Sequence, residues 1–189
     1  KKESIDAILE MVDFKEDGLL KKILVTGCLA QRYAEELLNE IPEVDGVIGI
    51  GANEDIVEAC NALFESDEPY CSFPDKEKLP LDGGRILTTP EYTAYLKIAE
   101  GCSNCCTYCA IPKIRGRMRS RTIEDVVEEA KKLAFQGVTE LIVVAQDTTA
   151  YGTDIYGEPK LAELLTELCK VKGLHWIRTL YTYPDKIDD

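Results

Sequence analysis

Histidine, tryptophan and methionine are scarce in this sequence, and long apolar runs are missing. One histidine and one tryptophan occur in 189 residues, and we interpret the lone His175, beside Trp176, as structural. No run of roughly 18 or more apolar residues occurs, which predicts that no segment spans a membrane. No secretory segment is recognisable either. We therefore expect a cytoplasmic protein.

Positive charge is also in short supply. The chain has 22 lysines and arginines against 35 aspartates and glutamates, which gives a net charge of −13. A general nucleic-acid binder neutralises phosphates with clustered basic side chains. The acidic balance argues against that class and favours a basic protein partner. The length is enough for one large or two small soluble domains.

Cysteine, in contrast, is abundant, with eight in the chain. Cys102, Cys106 and Cys109 form the pattern C-x-x-x-C-x-x-C. This close spacing allows one tight loop to turn all three sulfurs toward a common point. A [4Fe–4S] cluster normally takes four thiolates. A loop that offers three would leave one iron free to bind another molecule.

Zinc binding and disulfide formation are the alternatives for these cysteines. A closed zinc site takes four ligands, and the fourth would have to be Cys105, which lies too close to its neighbours, or the distant His175. Disulfides would require an oxidising compartment, whereas cytosolic thiols are normally kept reduced. A metal-binding cysteine loop does not by itself imply catalysis. A non-catalytic interaction module that binds an iron–sulfur cluster or zinc is the alternative to an enzyme.

The remaining cysteines have simpler interpretations. Cys60 and Cys169 lie on the apolar faces of expected helices, and we predict that they are small core residues. Cys71 falls in an expected linker, and the sequence assigns no role to it or to Cys105.

The chain divides into three parts by pattern. Residues 1–64 alternate helix and strand, which predicts an α/β domain with a parallel sheet. Residues 65–92 contain four prolines and no periodicity, and we interpret them as a linker. Residues 93–189 read strand, helix, strand, helix, strand. That order predicts the opening half of a parallel (β/α) barrel, whose chemistry lies at the carboxyl ends of the strands.

Local signals place the individual elements. Asn53 and Thr122 are expected to cap helices, the second with Asp125 at the capping-box position. A further helix is expected from residue 160 to 171. Strands are expected at residues 22–27, 44–51, 93–98, 140–145 and 175–181.

The cysteine loop closely resembles that of radical S-adenosylmethionine enzymes. The resemblance rests on the cysteine spacing and on Tyr108 before the last cysteine. It implies that the open iron binds S-adenosylmethionine, which is cleaved to a radical, and that Tyr108 lies by the adenine. The cofactors would carry this chemistry, and the protein would position them and keep water out.

Two further segments are candidates for contact with cofactor or substrate. Gln146 and Asp147 follow a buried strand and could reach S-adenosylmethionine or substrate, or form a hydrogen-bonded turn. Four arginines, Arg115, Arg117, Arg119 and Arg121, stand close together in an acidic chain. Arginine recognises carboxylates and phosphates. These four could contact substrate, or they could pair with the glutamates of the following helix.

Over essentially its whole length the chain resembles the methylthiotransferases. Residues 25–33 are similar to the end of the family's N-terminal signature. The resemblance implies an N-terminal methylthiotransferase α/β domain, in part, followed by the first half of a radical S-adenosylmethionine partial TIM barrel. It also implies that Cys28 is the third ligand of a second [4Fe–4S] cluster, with two earlier cysteines outside this chain. We expect a piece of a longer protein.

Two branches of that family differ in substrate. One modifies an adenosine in tRNA, and the other modifies the β-carbon of an aspartate in a small-subunit ribosomal protein. Residues 100–102, 110–116, 146–152 and 178–184 resemble the second branch. The first branch usually has Gln-Asn-x-Asn where this chain has Gln-Asp-Thr-Thr at residues 146–149. The implied partners are a ribosomal protein of the decoding centre and a reducing electron donor, with tRNA as the alternative substrate.

Overall fold

The computed structural model describes residues 1–78, 80, 81, 83 and 85–186. It divides into two compact units, one formed by Lys1–Leu79 with Lys113–Arg115 and the other by Pro80–Pro112 with Gly116–Asp189. Both units have parallel sheets and helices, which confirms the predicted α/β class. Within the described residues no helix is both long and apolar enough to cross a bilayer.

The first unit contains a three-stranded parallel sheet with the strand order β1-β2-β3. Its strands are β1 (Leu24–Val25), β2 (Gly46–Ile48) and β3 (Tyr70–Ser72). Its helices are α1 (Lys2–Glu16), α2 (Cys28–Glu40) and α3 (Ile56–Glu65), with 3₁₀ helices at Ile50–Asp55 and Lys76–Lys78.

The core of this unit lies where α1 and α2 pack against the sheet. Ile8 and Val12 are buried on α1, Leu37 on α2 and Val47 on β2. Ile8 and Val12 are four residues apart, so they lie on one face of the helix. That spacing explains why an otherwise polar segment forms a helix on this sheet.

Two details of the first unit differ from the sequence-based expectations. Strand β3 lies inside the range 65–92 that was expected to be a linker, and it pairs in parallel with β2. Asn53 does not cap α3, because it lies within the 3₁₀ helix and accepts a hydrogen bond from Thr26 Oγ1 at 3.0 Å. Asp55 is the residue that precedes α3.

The prediction that Cys60 and Cys169 are core residues is wrong, since both are exposed. Helix α3 buries Ala59 and Leu63, four residues apart, and Cys60 lies about 100° further around the helix from Ala59. Cys169 is the residue that ends α6 (Leu161–Leu168). Apolar neighbours on a helix therefore did not identify the buried face.

The second unit contains a parallel sheet with the order β4-β7-β8 and a two-stranded antiparallel pair, β5-β6. The strands are β4 (Thr93–Lys97), β5 (Ala99–Glu100), β6 (Arg119–Ser120), β7 (Glu140–Val144) and β8 (Trp176–Thr179). The other helices of this unit are α5 (Ile123–Phe135) and a 3₁₀ helix at Pro184–Lys186. Helix α4 (Ile111–Arg115) begins in this unit, and its residues Lys113–Arg115 belong to the first unit.

Helices α5 and α6 each connect one strand of this sheet to the next parallel strand. Thr122 caps α5 as predicted, and its Oγ1 accepts from the Asp125 amide at 3.3 Å. Val126 and Leu133 of α5 are buried in the same core as Leu141 of β7. Because the strands are parallel, the segments that follow β4, β7 and β8 meet at one edge of the sheet, as in the opening half of a (β/α) barrel.

Candidate functional site

The cysteine loop leaves the sheet just after β5 through Gly101. Gly101 has φ +76°, and a Cβ atom there would collide with the Arg117 carbonyl group. Only glycine avoids both the left-handed penalty and this collision. The next residue, Cys102, donates its amide to Gly116 O at 3.2 Å. The start of the loop is therefore fixed against the segment before β6.

Hydrogen bonds shape the rest of the loop. The Cys109 amide donates to Cys106 O at 3.0 Å, and the Met118 amide donates to Ser103 Oγ at 3.2 Å. Cys105 has φ +51°, a conformation that is uncommon for residues other than glycine and concentrates at functional sites. The loop has a defined turn at the position between its first and second motif cysteines.

The cysteine loop and the segments after β7 and β8 enclose a cavity of about 70 Å³. Among its lining residues are the three motif cysteines. Cys106 Sγ lies 3.9 Å from the Tyr183 hydroxyl, a contact that raises the pKa of Tyr183 above its usual value. The lining consists of Cys102, Asn104, Cys105, Cys106, Tyr108, Cys109, Ile111, Pro112, Gln146 and Tyr183.

The donor set of this cavity suits an iron–sulfur cluster in type. None of the chain's eight cysteines forms a disulfide, so the three motif thiols are available as thiolate ligands. Among the described residues no three His, Cys, Asp or Glu side chains are gathered closely enough to hold a single metal ion. The three thiols share one cavity and would have to draw together to bind a common group.

Gln146 lines the cavity and has an unsatisfied side-chain oxygen. Its Oε1 atom is buried and has no hydrogen-bond partner in the described structure. Buried polar atoms nearly always have partners, because leaving one unsatisfied costs about 1–3 kcal/mol. Gln146 therefore lines the cavity while its Oε1 keeps unused hydrogen-bonding capacity.

Asp147, one residue further along the chain, is only 1% exposed and is not among the residues that line the cavity. Its Oδ2 accepts from Asn104 Nδ2 at 2.7 Å and from Lys186 Nζ at 3.1 Å. Its Oδ1 accepts from Thr149 Oγ1 at 2.5 Å and from the Ala150 amide at 3.2 Å. Of the two interpretations of Asp147, contact with cofactor or substrate and a hydrogen-bonded turn, the contacts support the hydrogen-bonded turn.

The pKa of Asp147 follows from these contacts. Burial by itself raises the pKa of the carboxyl group. The hydrogen bonds from Thr149, Asn104 and Lys186 outweigh burial and hold the pKa below its usual value. The group is therefore a carboxylate at neutral pH.

The four arginines at positions 115, 117, 119 and 121 differ in how deeply they are buried. Arg121 is 5% exposed and donates to Asp125 Oδ2 at 2.7 Å, to Glu129 Oε2 at 2.5 Å and to Lys97 O at 2.9 Å. Burial lowers the pKa of Arg121, but the hydrogen bonds to the two carboxylates raise it further, so it stays charged. Arg117 is exposed, and Arg115 and Arg119 are half-buried. Arg121 thus pairs with the following helix, as the second interpretation of the arginine run predicts.

Cys28 belongs to the first unit. It is the first residue of α2, soon after the carboxyl end of β1, and it is half-buried. Gly27 before it has φ +97°. The thiol therefore lies at the kind of strand-end position where open α/β sheets place their sites.

Sequence reasoning missed Asn104 and Lys186. Asn104 lies inside the cysteine motif at a position to which the spacing assigns no role, and Lys186 lies after the last predicted strand. The only signal for either was its position in a segment that follows a parallel strand, since such segments meet at one sheet edge.

Two family models match parts of this chain. The radical SAM superfamily model matches residues 96–187, which include the cysteine loop, Gln146 and Asp147. A second model, described as the uncharacterized protein family UPF0004, matches residues 1–49, which include Cys28.

Curated relatives match the whole chain, with about half of the aligned residues identical. The ribosomal protein uS12 methylthiotransferase RimO of Clostridioides difficile is 52% identical over an alignment of 193 residues, which covers 100% of this chain and 43% of the relative. The protein of the same name from Clostridium tetani is 53% identical over an alignment of 191 residues, which covers 100% of this chain and 42% of the relative. That of Desulforamulus reducens is 50% identical over 194 residues, with 100% and 43% covered. The chain spans less than half the length of these relatives.

Proposed function

Because this chain belongs to the radical S-adenosylmethionine methylthiotransferase family, we propose that its protein adds a methylthio group to the β-carbon of an aspartate in the small-subunit ribosomal protein uS12. The observation that carries this proposal is the identity of about half of all residues, over the full chain, with relatives named for that activity. The protein would work in the cytoplasm with a reducing electron donor.

Cys102, Cys106 and Cys109 would hold one [4Fe–4S] cluster. Support comes from three free thiols that line one cavity and from a loop that offers three ligands rather than four. When bound, the cluster and S-adenosylmethionine supply the one-electron chemistry that activates an unreactive C–H bond. Such a bond has no acidic proton, so acid–base catalysis by side chains alone would not serve.

Two residues of the cavity would hold S-adenosylmethionine. Gln146 lines the cavity, and its unpartnered Oε1 would accept from an N–H or O–H group of the cofactor once the side chain turns toward it. Tyr108 lines the same cavity and is 89% exposed, so its ring is free to stack on a base. Asp147 is left out of this contact set, because its two oxygens already accept four hydrogen bonds within the protein.

Cys28 would be a ligand of a second [4Fe–4S] cluster in the longer protein. The support is its place at a strand end in the part of the chain that the UPF0004 model matches. The family resemblance implies that the other two ligands come from cysteines outside this chain.

Charge supports a ribosomal protein as substrate. A chain with a net charge of −13 attracts a basic protein and repels tRNA over long distances. Arg115, Arg117 and Arg119 are the candidates to pair with the substrate carboxylate, since a guanidinium matches a carboxylate with two parallel hydrogen bonds.

The test is mass spectrometry on a strain that lacks the gene, compared with the same strain carrying it on a plasmid. We expect the methylthio mass on a uS12 aspartate to disappear and to return with the plasmid, while tRNA nucleosides stay unchanged. Loss of a methylthiolated adenosine with uS12 unaffected would contradict the proposal and identify tRNA as the substrate.

A further inference from the structure

Asp147 joins three segments at the edge of the β4-β7-β8 sheet. Its Oδ1 binds the turn that follows β7, through Thr149 and Ala150. Its Oδ2 binds Asn104 of the cysteine loop and Lys186 beyond β8. A carboxylate that is only 1% exposed and accepts four hydrogen bonds forms a rigid connection among these segments.

The turn that carries Asp147 is itself fixed to the neighbouring strand end. Thr148 donates its hydroxyl to Leu180 O at 2.9 Å, and its amide donates to Tyr181 O at 3.1 Å. Thr148 is fully buried. Asp147 therefore has little freedom to move, and whatever it binds is held in place.

The cysteine loop contacts this fixed carboxylate through one side chain. Asn104 lies midway between Cys102 and Cys106, and its Nδ2 donates to Asp147 Oδ2 at 2.7 Å. The next residue, Cys105, has the left-handed φ of +51°. A turn in this conformation is costly unless surrounding contacts stabilise it.

From these contacts we infer that Asp147 is a positioning residue, which holds the three-cysteine loop in shape through Asn104 and does not itself bind cofactor. The inference rests on the proposed function for the identity of the loop as a cluster site. The hydrogen-bond geometry that carries it does not depend on that identity.

The pair allows a test by exchange of donor and acceptor. Asn104→Asp places a second carboxylate against Asp147, so the contact becomes repulsive. Asp147→Asn in the same protein restores a hydrogen bond between positions 104 and 147 with donor and acceptor exchanged and with the wild-type net charge. The new carboxylate at position 104 is then the acceptor available to Lys186 Nζ, which loses Asp147 Oδ2. The control Asn61→Asp makes the same chemical change on the exposed face of α3, in the other unit.

The readout is amide hydrogen exchange of metal-free protein, followed by mass spectrometry of peptides that contain residues 102–109. We expect Asn104→Asp to speed exchange there by about two- to tenfold, the factor that one net hydrogen bond contributes. The double variant Asn104→Asp/Asp147→Asn should return close to the wild-type rate, and Asn61→Asp should leave it unchanged. Peptides from α5 serve as the folding control in every protein.

Two results would overturn the inference. The first is an amide exchange rate at residues 102–109 that is the same in the Asn104→Asp variant as in the wild type. The second is a double variant whose amides exchange as fast as those of the Asn104→Asp variant. Iron retained after anaerobic reconstitution is measured on the same four proteins and should follow the exchange rates. Should no protein bind iron while the exchange pattern holds, the proposed function fails and the positioning role of Asp147 stands.

Discussion

The Tyr183 hydroxyl lies 3.9 Å from the Cys106 sulfur, across the cavity that the three motif cysteines line. This contact brings the segment after β8 against the middle cysteine of the motif. In iron–sulfur proteins, hydrogen bonds to the ligand sulfurs raise the reduction potential of the cluster, because they stabilise the more negative reduced form.

Tyr183→Phe is therefore expected to lower the midpoint potential of the reconstituted cluster. The loss of one hydrogen bond of about 1 kcal/mol corresponds to a shift of roughly 40 mV for a one-electron couple. Potentiometric titration of the variant beside the wild type measures it, with iron content as the control for an intact cluster. An unchanged potential would mean that the hydroxyl does not act on the bound sulfur.

Gly101→Ala is expected to destabilise the second unit strongly. The substitution combines a left-handed φ penalty of about 1–2 kcal/mol with a collision against the Arg117 carbonyl group. Gly137→Ala is the matched control, because Gly137 also has positive φ but has open space around it. Urea unfolding should show a clearly larger loss for Gly101→Ala than for Gly137→Ala. Equal losses would show that the collision is relieved at no cost.

Arg121→Ala is expected to lower the free energy of unfolding by about 2–3 kcal/mol, since it removes hydrogen bonds to two carboxylates. Arg117→Ala changes an exposed arginine of the same run and should stay within about 0.5 kcal/mol of the wild type. Urea unfolding measures both variants. A stable Arg121→Ala protein that fails to bind substrate would instead favour a substrate-contact role for Arg121.

The lowered pKa of Asp147 gives the stability a definite pH dependence. A carboxyl group with a folded pKa below its unfolded value of about 4 stabilises the protein above that pH, and the contribution is lost as pH falls through the folded pKa. The difference in unfolding free energy between wild type and Asp147→Asn should therefore shrink between about pH 5 and pH 2. A difference that stays constant over this range would contradict the shifted pKa.

Local spacing was enough to predict the α/β architecture and to propose a candidate ligand set. The three cysteines stand within eight residues, and the strands and the Thr122 cap depend on residues close together in sequence, so the pattern itself carried the information. The same is true of the order of strands and helices that indicated a parallel sheet in each unit.

Contacts between distant residues were not predictable in the same way. Asn104 and Asp147 are 43 residues apart, and no property of either residue indicates the other. The prediction for Cys60 was wrong because the buried face of α3 depends on how the helix packs and not on its composition alone. Arg121 had two sequence-based interpretations, and its contacts with Asp125 and Glu129 of the following helix distinguish them.

The most direct test of the account is iron analysis and electron paramagnetic resonance of the anaerobically reconstituted protein, before and after S-adenosylmethionine is added. We predict about four irons per chain, held at Cys102, Cys106 and Cys109, and a spectrum of the reduced cluster that changes when the cofactor binds the open iron. Replacing any one of these cysteines with alanine should abolish the signal, while Cys60→Ala and Cys169→Ala should retain it. Stoichiometric zinc without iron, or a cluster spectrum that does not change when S-adenosylmethionine is added, would contradict the claim that these cysteines hold a cluster with one iron open to the cofactor.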